Sequence, residues 1–236
     1  MFLGELLGTM ILITLGDGVV AAVLLCKSKA ENAGWVAITG GWAFGVLCGI
    51  VTATAFGGSG AINPVGPLIG IVNGSLTIVQ GLAQIAGEFT GAFLGAILVW
   101  LHYLPHWKQT GSAGLKLAVF CTGPAIRSPL ANLLSEVIGT FVLVFVAGAI
   151  SKVVTGTSLT PAFVAALVWG IGLSLGGTTG YAINPARDLS PRIAHAILPI
   201  PGKGDSDWGY AWIPVAGPVI GALAAFACQR AIDAAL

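Results

Sequence analysis

Twice in this chain an Asn-Pro pair follows a glycine-rich run and opens an apolar stretch of about three helical turns, far short of the roughly 20 residues a bilayer-spanning helix needs. The first lies in Gly57-Gly58-Ser59-Gly60-Ala61-Ile62-Asn63-Pro64-Val65. The second lies in Gly180-Tyr181-Ala182-Ile183-Asn184-Pro185-Ala186-Arg187-Asp188, and the two pairs are 184 − 63 = 121 residues apart. Proline at the first helical position costs nothing, because its missing N–H would be unpaired there, and asparagine before it is a favoured N-cap. Each pair therefore predicts a helix start, and each short segment a re-entrant half-helix.

The remainder predicts full spans. Of the 236 residues 56% are hydrophobic and 8% charged, more apolar surface than a soluble domain of this size could bury. Windows of about 20 apolar residues fall at 3–26, 35–56, 78–101, 131–150, 160–180 and 209–232. The first Asn-Pro segment sits between spans two and three, the second between five and six. Local sequence repeats as well: Gly4-Glu5-Leu6-Leu7-Gly8-Thr9 matches Ser135-Glu136-Val137-Ile138-Gly139-Thr140, and Ala86-Gly87 with Gly91 matches Ala216-Gly217 with Gly221. An internal repeat with an odd number of spans inverts its second copy in the membrane, which places a site at the midplane between the copies.

The expectation is one all-α membrane domain over 1–236, with repeats at 1–101 and 131–236. The segment 102–130, with His102, His106, Lys108, Lys116 and Arg127 among glycines and prolines, predicts an exposed linking loop, and Ser151 to Thr157 a short polar turn. Gly87-Gly91-Gly95 and Gly217-Gly221 have the spacing of close helix contacts, within a subunit or between subunits. A net charge of +1 argues against a nucleic-acid partner, and Cys26, Cys48, Cys121 and Cys228 lack metal-ligand or CxxC spacing, so neither metal nor cofactor is expected. Met1-Phe2-Leu3-Gly4-Glu5 lacks the basic start of a signal peptide, so the first apolar segment is expected to stay as a span.

A helix N-terminus carries roughly +0.5 of an elementary charge. Two half-helices meeting start to start at the midplane would repel cations, while Asn63 and Asn184 offer amide N–H groups to a passing oxygen. Such a pore passes neutral hydrogen-bonding solutes and refuses protons and metal cations.

The twin Asn-Pro motifs, the second followed by Arg187-Asp188, resemble those of the major intrinsic proteins, the aquaporins and aquaglyceroporins, and most of all the bacterial glycerol facilitators. The resemblance covers nearly the whole chain. It implies six spans with two half-helices, a passive channel rather than an enzyme, a homotetramer with one pore per subunit, and cytoplasmic termini in a bacterial plasma membrane. It implies that Glu5 and Glu136 brace the chain leading into each half-helix, with Pro64, Pro185 and Asp188 as further support. A headgroup-zone carboxylate suits Glu5 as well. The implied selectivity ring holds Tyr181, Arg187, Gly172 on span five and Trp42 on span two, with Phe44 the alternative to Trp42. A glycine at 172, where narrow water channels carry histidine, implies a wider ring, and a polyol would lay its carbons on the aromatic rings and its hydroxyls toward the guanidinium. Tyr181 in place of the facilitators' phenylalanine, and Val65 in place of alanine, leave water, dihydroxyacetone, urea, hydrogen peroxide or protonated lactic acid as further candidate solutes.

Cytoplasmic termini would put Lys152 and Arg230 inside and Lys27, Lys29, Lys108, Lys116, Arg127 and Lys203 outside, against the positive-inside rule. Two carboxylates within spans also need an account. Asp17, between Gly16 and Gly18, is either paired structurally, at a subunit interface, in a proton-sensitive site, or long enough in reach to touch the far interface. Glu88, beside Gly87, is expected to face another helix or subunit, while Arg192 and His195 are structural or line the mouth. Two rival functions remain. Gly57-Gly58-Ser59-Gly60 matches the GxSG of rhomboid proteases, but no histidine base falls inside any predicted span. An ion-coupled transporter would need Glu88 or Asp17 to bind an ion and move between faces.

Overall fold

All regular structure in the described residues of the computed structural model, 1–154 and 159–236, is helical. The elements in chain order are α1 (Phe2–Leu24), α2 (Trp35–Ala55), α3 (Val65–Val72), α4 (Ile78–His102), α5 (Leu104–Gln109), α6 (Ala113–Phe120), α7 (Pro129–Val153), α8 (Thr160–Leu175), α9 (Pro185–Ile197) and α10 (Ile213–Ala235). The fold is aquaporin-like: α1, α2, α4, α7, α8 and α10 are the spans, α3 and α9 the half-helices. Of the turn expected from Ser151 to Thr157, Ser151 to Val153 continue α7, and 155–157 lie outside the described residues.

Local chemistry sets the helix starts. Thr77 and Gln80 form a reciprocal capping box at the head of α4, and prolines open α7, α8 and α10. Among the described residues five helices are long and apolar enough to cross a membrane. The fifth span is shorter than the expected 160–180, because α8 ends at Leu175, where Gly176-Gly177 begins the run into the second half-helix. At 1.5 Å per residue its 16 residues cover about 24 Å. The sixth begins at Ile213 rather than 209.

α1 packs on α2 and α4, α7 on α10 and α8, and α2 meets α8 across the repeats. Each half-helix also packs on the third span of the other copy, α9 on α4 and α3 on α10, which locks the halves together. The small-residue rows are what let the helices come this close, and they act within one subunit. A Cβ on Gly87, Gly91 or Gly95 of α4 would stand 2.4, 2.1 or 2.7 Å from the carbonyl oxygens of Phe2, Leu6 and Met10, one face of α1. In the second copy a Cβ on Gly221 would stand 2.4 Å from the Val137 carbonyl oxygen.

The link between repeats is not the exposed loop expected. It folds into α5 and α6, with Trp107 and Phe120 buried and their rings stacked 5.5 Å apart. Trp107 Nε1 donates to the Trp100 carbonyl at 2.9 Å. Lys116, one of the charges that made this stretch read as solvated, is buried and donates to the carbonyl of Pro201.

Candidate functional site: two half-helix starts on one cavity

The two Asn-Pro segments meet inside the bundle. Asn63 Nδ2 donates to the Ile183 carbonyl and Asn184 Nδ2 donates to the Ile62 carbonyl, both at 2.8 Å, so each asparagine clasps the segment leading into the other half-helix. The Asn184 Oδ1 accepts from the N–H groups of Ala186 and Arg187, and the Asn63 Oδ1 from that of Val65, which caps both helices. One N–H of each amide is thereby consumed across the junction, and one remains for a passing solute.

Behind each junction stands a carboxylate. Glu5 Oε1 accepts from Ser59 N (2.7 Å), Ser59 Oγ (2.9 Å) and Gly60 N (2.9 Å), and its Oε2 accepts from Ile62 N (2.8 Å). Fully buried, Glu5 is not in a headgroup zone. Glu136 does the same in the second copy, accepting from Thr179 Oγ1 (2.7 Å), Ala182 N (3.0 Å) and Ile183 N (2.8 Å). In a trans peptide the C=O points opposite to the following N–H. Turning these N–H groups back to the carboxylates therefore turns the preceding carbonyls away from them, toward the cavity that residues 59–63 and 181–184 line. The geometry demands left-handed backbone at Ile62 (φ 44°), Tyr181 (φ 40°) and Ile183 (φ 42°), uncommon for any residue but glycine and most of all for isoleucine, which is branched at Cβ.

That cavity is about 450 Å³. It runs from Trp42, Tyr181 and Arg187 past the two asparagines to Gln229 and Thr160. The same cavity is lined by the aliphatic side chains of Leu12, Val46, Val65, Leu143 and Val168. The lining thus combines backbone acceptors with carbon.

Trp42 and Arg187 adjoin: the guanidinium carbon lies 4.0 Å from the centre of the indole ring. Phe44, two positions on, is 65% exposed on the outside of the bundle, so the alternative is excluded by its facing. Gly172 does not line the cavity; Tyr181 fills its place, and a Cβ on Gly172 would lie 2.9 Å from the Tyr181 Cζ. Tyr181 also stands edge-on to Trp35, at 5.8 Å, and its buried hydroxyl has no hydrogen-bond partner among the described residues.

The remaining charges sort themselves. Asp188 binds Thr122 through its N–H (2.7 Å) and hydroxyl (2.6 Å) and pairs with Arg192 at 2.8 Å. Arg192 goes on to the Ser206 and Thr122 carbonyls, and His195 Nδ1 meets Ser206 Oγ at 2.9 Å, so both are structural. Of the two alternatives for Glu88, another helix or another subunit, the structure shows a partner within the chain: it is fully buried, and its Oε1 accepts from the Asn63 N–H at 3.1 Å. Asp17 does not reach an interface; it turns inward, fully buried, with Oδ1 3.8 Å from Arg187 Nη1. Ser59 meets Glu5 rather than a histidine, which removes the protease constellation. Sequence reasoning missed Thr122, Gln229 and the Glu88 bond. The signal for Glu88 was present, since the repeat places Pro218 opposite it, a residue that carries no acceptor side chain.

The model of the family described as "Major intrinsic protein" matches residues 1–228. The chain belongs to the major intrinsic protein family. This is a family of membrane channels, and two relatives illustrate the match. One is "Glycerol uptake facilitator protein 3" of Lactiplantibacillus plantarum, 55% identical over 219 residues, covering 93% of this chain and 91% of that one. The other is "Probable glycerol uptake facilitator protein" of Thermotoga maritima, 53% identical over 222 residues, covering 94% of each. The X-ray structure of the aquaglyceroporin from Plasmodium falciparum shares the fold, with a TM-score of 0.83, 24% identity and coverage of 95% of this chain and 92% of that one. Family membership and geometry agree on an integral membrane protein with the inverted-repeat channel fold.

Proposed function

We propose that this member of the family is a passive channel for small neutral polyols, glycerol first among them, with some permeability to water. The observation that carries the reading is the mixed lining: backbone acceptors and the Arg187 guanidinium together with aliphatic side chains on one cavity. A polyol presents hydroxyls on one edge and C–H on the other, so it exchanges its hydration for this lining with little loss. Trp42, Tyr181, Arg187 and the space left by Gly172 form the selectivity ring, and Asn63 and Asn184 the midplane junction. Pro64, Pro185, Asp188, Glu5 and Glu136 hold the half-helices. The names of the similar facilitators support glycerol as the solute.

A second reading keeps the channel and changes the solute. The unpartnered Tyr181 hydroxyl adds a donor and acceptor at the ring, which favours a more polar neutral molecule such as protonated lactic acid, dihydroxyacetone, urea or hydrogen peroxide. An ion-coupled transporter is disfavoured, since Glu88 is tied to Asn63 and Asp17 lies beside Arg187. In this reading the whole chain acts as one domain and assembles as a homotetramer in the plasma membrane of a bacterium, with cytoplasmic termini. Of the six loop cations that contradict that orientation, three have partners within the chain: Lys203 caps the carbonyls of Ala196 and Leu198, Lys116 binds Pro201, and Arg127 pairs with Asp207 at the surface.

Stopped-flow light scattering of proteoliposomes under glycerol, water and lactic acid gradients tests the function. Glycerol flux should be proportional to its gradient and insensitive to ionophores, and it should change in Arg187 and Tyr181 variants. Saturation with uphill accumulation would refute a channel.

A further inference from the structure

Cation rejection has two sources here, the paired helix starts and Arg187, and both are positive. By themselves they would make the path attractive to anions, so a pore for neutral solutes needs negative charge close to Arg187. Among the described residues one carboxylate fills that place. Asp188 is saturated by Thr122 and Arg192. Asp17 is fully buried, no hydrogen bond reaches either of its oxygens in the described residues, and its closest charge is the Arg187 guanidinium at 3.8 Å. The backbone of α1 lets it get there: a Cβ on Gly16 would lie 2.3 Å from the Trp42 ring, so the helix is pressed against Trp42 and the next residue reaches behind it. Arg187 is otherwise held by the Trp42 ring and, at 3.5 Å, by the Phe120 carbonyl, neither of which carries a formal charge. A carboxylate this deep without hydrogen bonds is retained only against a partner charge.

We propose that Asp17 is the charge partner of Arg187 and a specificity-determining residue of the channel. Its carboxylate sits behind the guanidinium, outside the cavity lining, and cancels the ring's charge toward the path while leaving Arg187 N–H groups to bind hydroxyls. The ring then rejects anions as well as cations. The inference rests on the reading of Arg187 as part of the selectivity ring.

The test measures nitrate entry into valinomycin-clamped proteoliposomes under a potassium nitrate gradient, alongside glycerol flux. The wild type should hold nitrate at the lipid background. Asp17→Asn should raise nitrate entry by about tenfold or more, the effect of one uncompensated charge a few ångströms from the path at an effective dielectric near 20. Asp17→Glu should stay at background, and Asp17→Asn with Arg187→Leu should return to it, because the double variant removes both charges. Nitrate rejection unchanged in a correctly assembled Asp17→Asn channel overturns the proposal. Should Asp17→Asn fail to assemble, the double variant is expected to recover assembly, since removing both ends of a buried pair is tolerated better than removing one; a double variant that stays misassembled overturns the pairing. Failure of the underlying ring reading is distinct: Arg187→Leu alone would then leave glycerol flux and its preference over larger polyols as in the wild type.

Discussion

Replacing Glu5 with glutamine removes one charge and one acceptor from a site where every polar contact is a donor pointing inward. The three short contacts on Oε1, from Ser59 N, Ser59 Oγ and Gly60 N, and a longer one from Ala61 N at 3.4 Å would keep the amide oxygen, and Ile62 N, now 2.8 Å from Oε2, would face an NH₂ group. A hydrogen bond to a charged group contributes about 1.5–3 kcal/mol and a neutral one about 1 kcal/mol. Losing one of the first kind and downgrading three others costs about 4–6 kcal/mol, among the larger effects a single substitution produces. At roughly 2–4 °C per kcal/mol for a chain of this size, the midpoint of thermal unfolding in detergent should fall by about 10–20 °C. Glycerol flux should fall with it, because residues 59–62 supply cavity acceptors. Ser59→Ala, which removes one of these donors, should cost about 1 kcal/mol. A midpoint within about 3 °C of the wild type, with normal flux, would mean that Glu5 behaves as a surface carboxylate and that the bracing argument is wrong.

Three further outcomes follow from the same geometry. Gly172→Ala should cut glycerol flux more than water flux, since the new methyl would stand 2.9 Å from the Tyr181 Cζ and 3.0 Å from the Thr39 Cγ2, forcing Tyr181 toward the path; parallel stopped-flow traces read the ratio. Gly91→Val should destabilise by about 3 kcal/mol or prevent insertion, at the upper end of overpacking costs, because its neighbour at 2.1 Å is the Leu6 carbonyl oxygen, backbone that cannot step aside; size-exclusion thermostability reports it. Asn184→Ala should cost about 2–3 kcal/mol, the sum of a lost N-cap and an abandoned buried acceptor; it should also slow glycerol, because Arg187 is on the first turn that Asn184 caps.

What could be read from sequence was whatever local chemistry decides. Asn-Pro makes a helix start wherever it falls, and a repeat that carries Glu5 and Glu136 in matching places signals matching roles, so the half-helices and spans stood out. Facing did not. A membrane helix is apolar on every side, so the alternation that tells inside from outside in a soluble helix is missing. Trp42 and Phe44 are about 200° apart around α2, yet nothing in the neighbouring residues says which looks inward; packing decides it, at 4% against 65% exposure. Asp17 and Glu88 were ambiguous for the same reason. The link misled in the opposite way, because its lysines and histidines signalled water while Lys116 had a buried carbonyl to bind.

The strained backbone shows why the carboxylates and the asparagines form one device. Left-handed φ at Ile62, Tyr181 and Ile183 costs about 1–3 kcal/mol apiece. Nothing local to those residues favours it. Glu5 holds the Ile62 N–H and Glu136 the Ile183 N–H, and it is the carbonyls of these same two residues that accept from Asn184 and Asn63. The strained isoleucine in each copy is thus gripped at its nitrogen by its own half and at its oxygen by the other. Neither half can relax its backbone without releasing the other's asparagine, so the inverted repeat stabilises as a pair a conformation that one copy alone could not keep. The same grip fixes the height at which the two positive helix starts face each other, and with it the barrier to cations that a channel for neutral solutes requires.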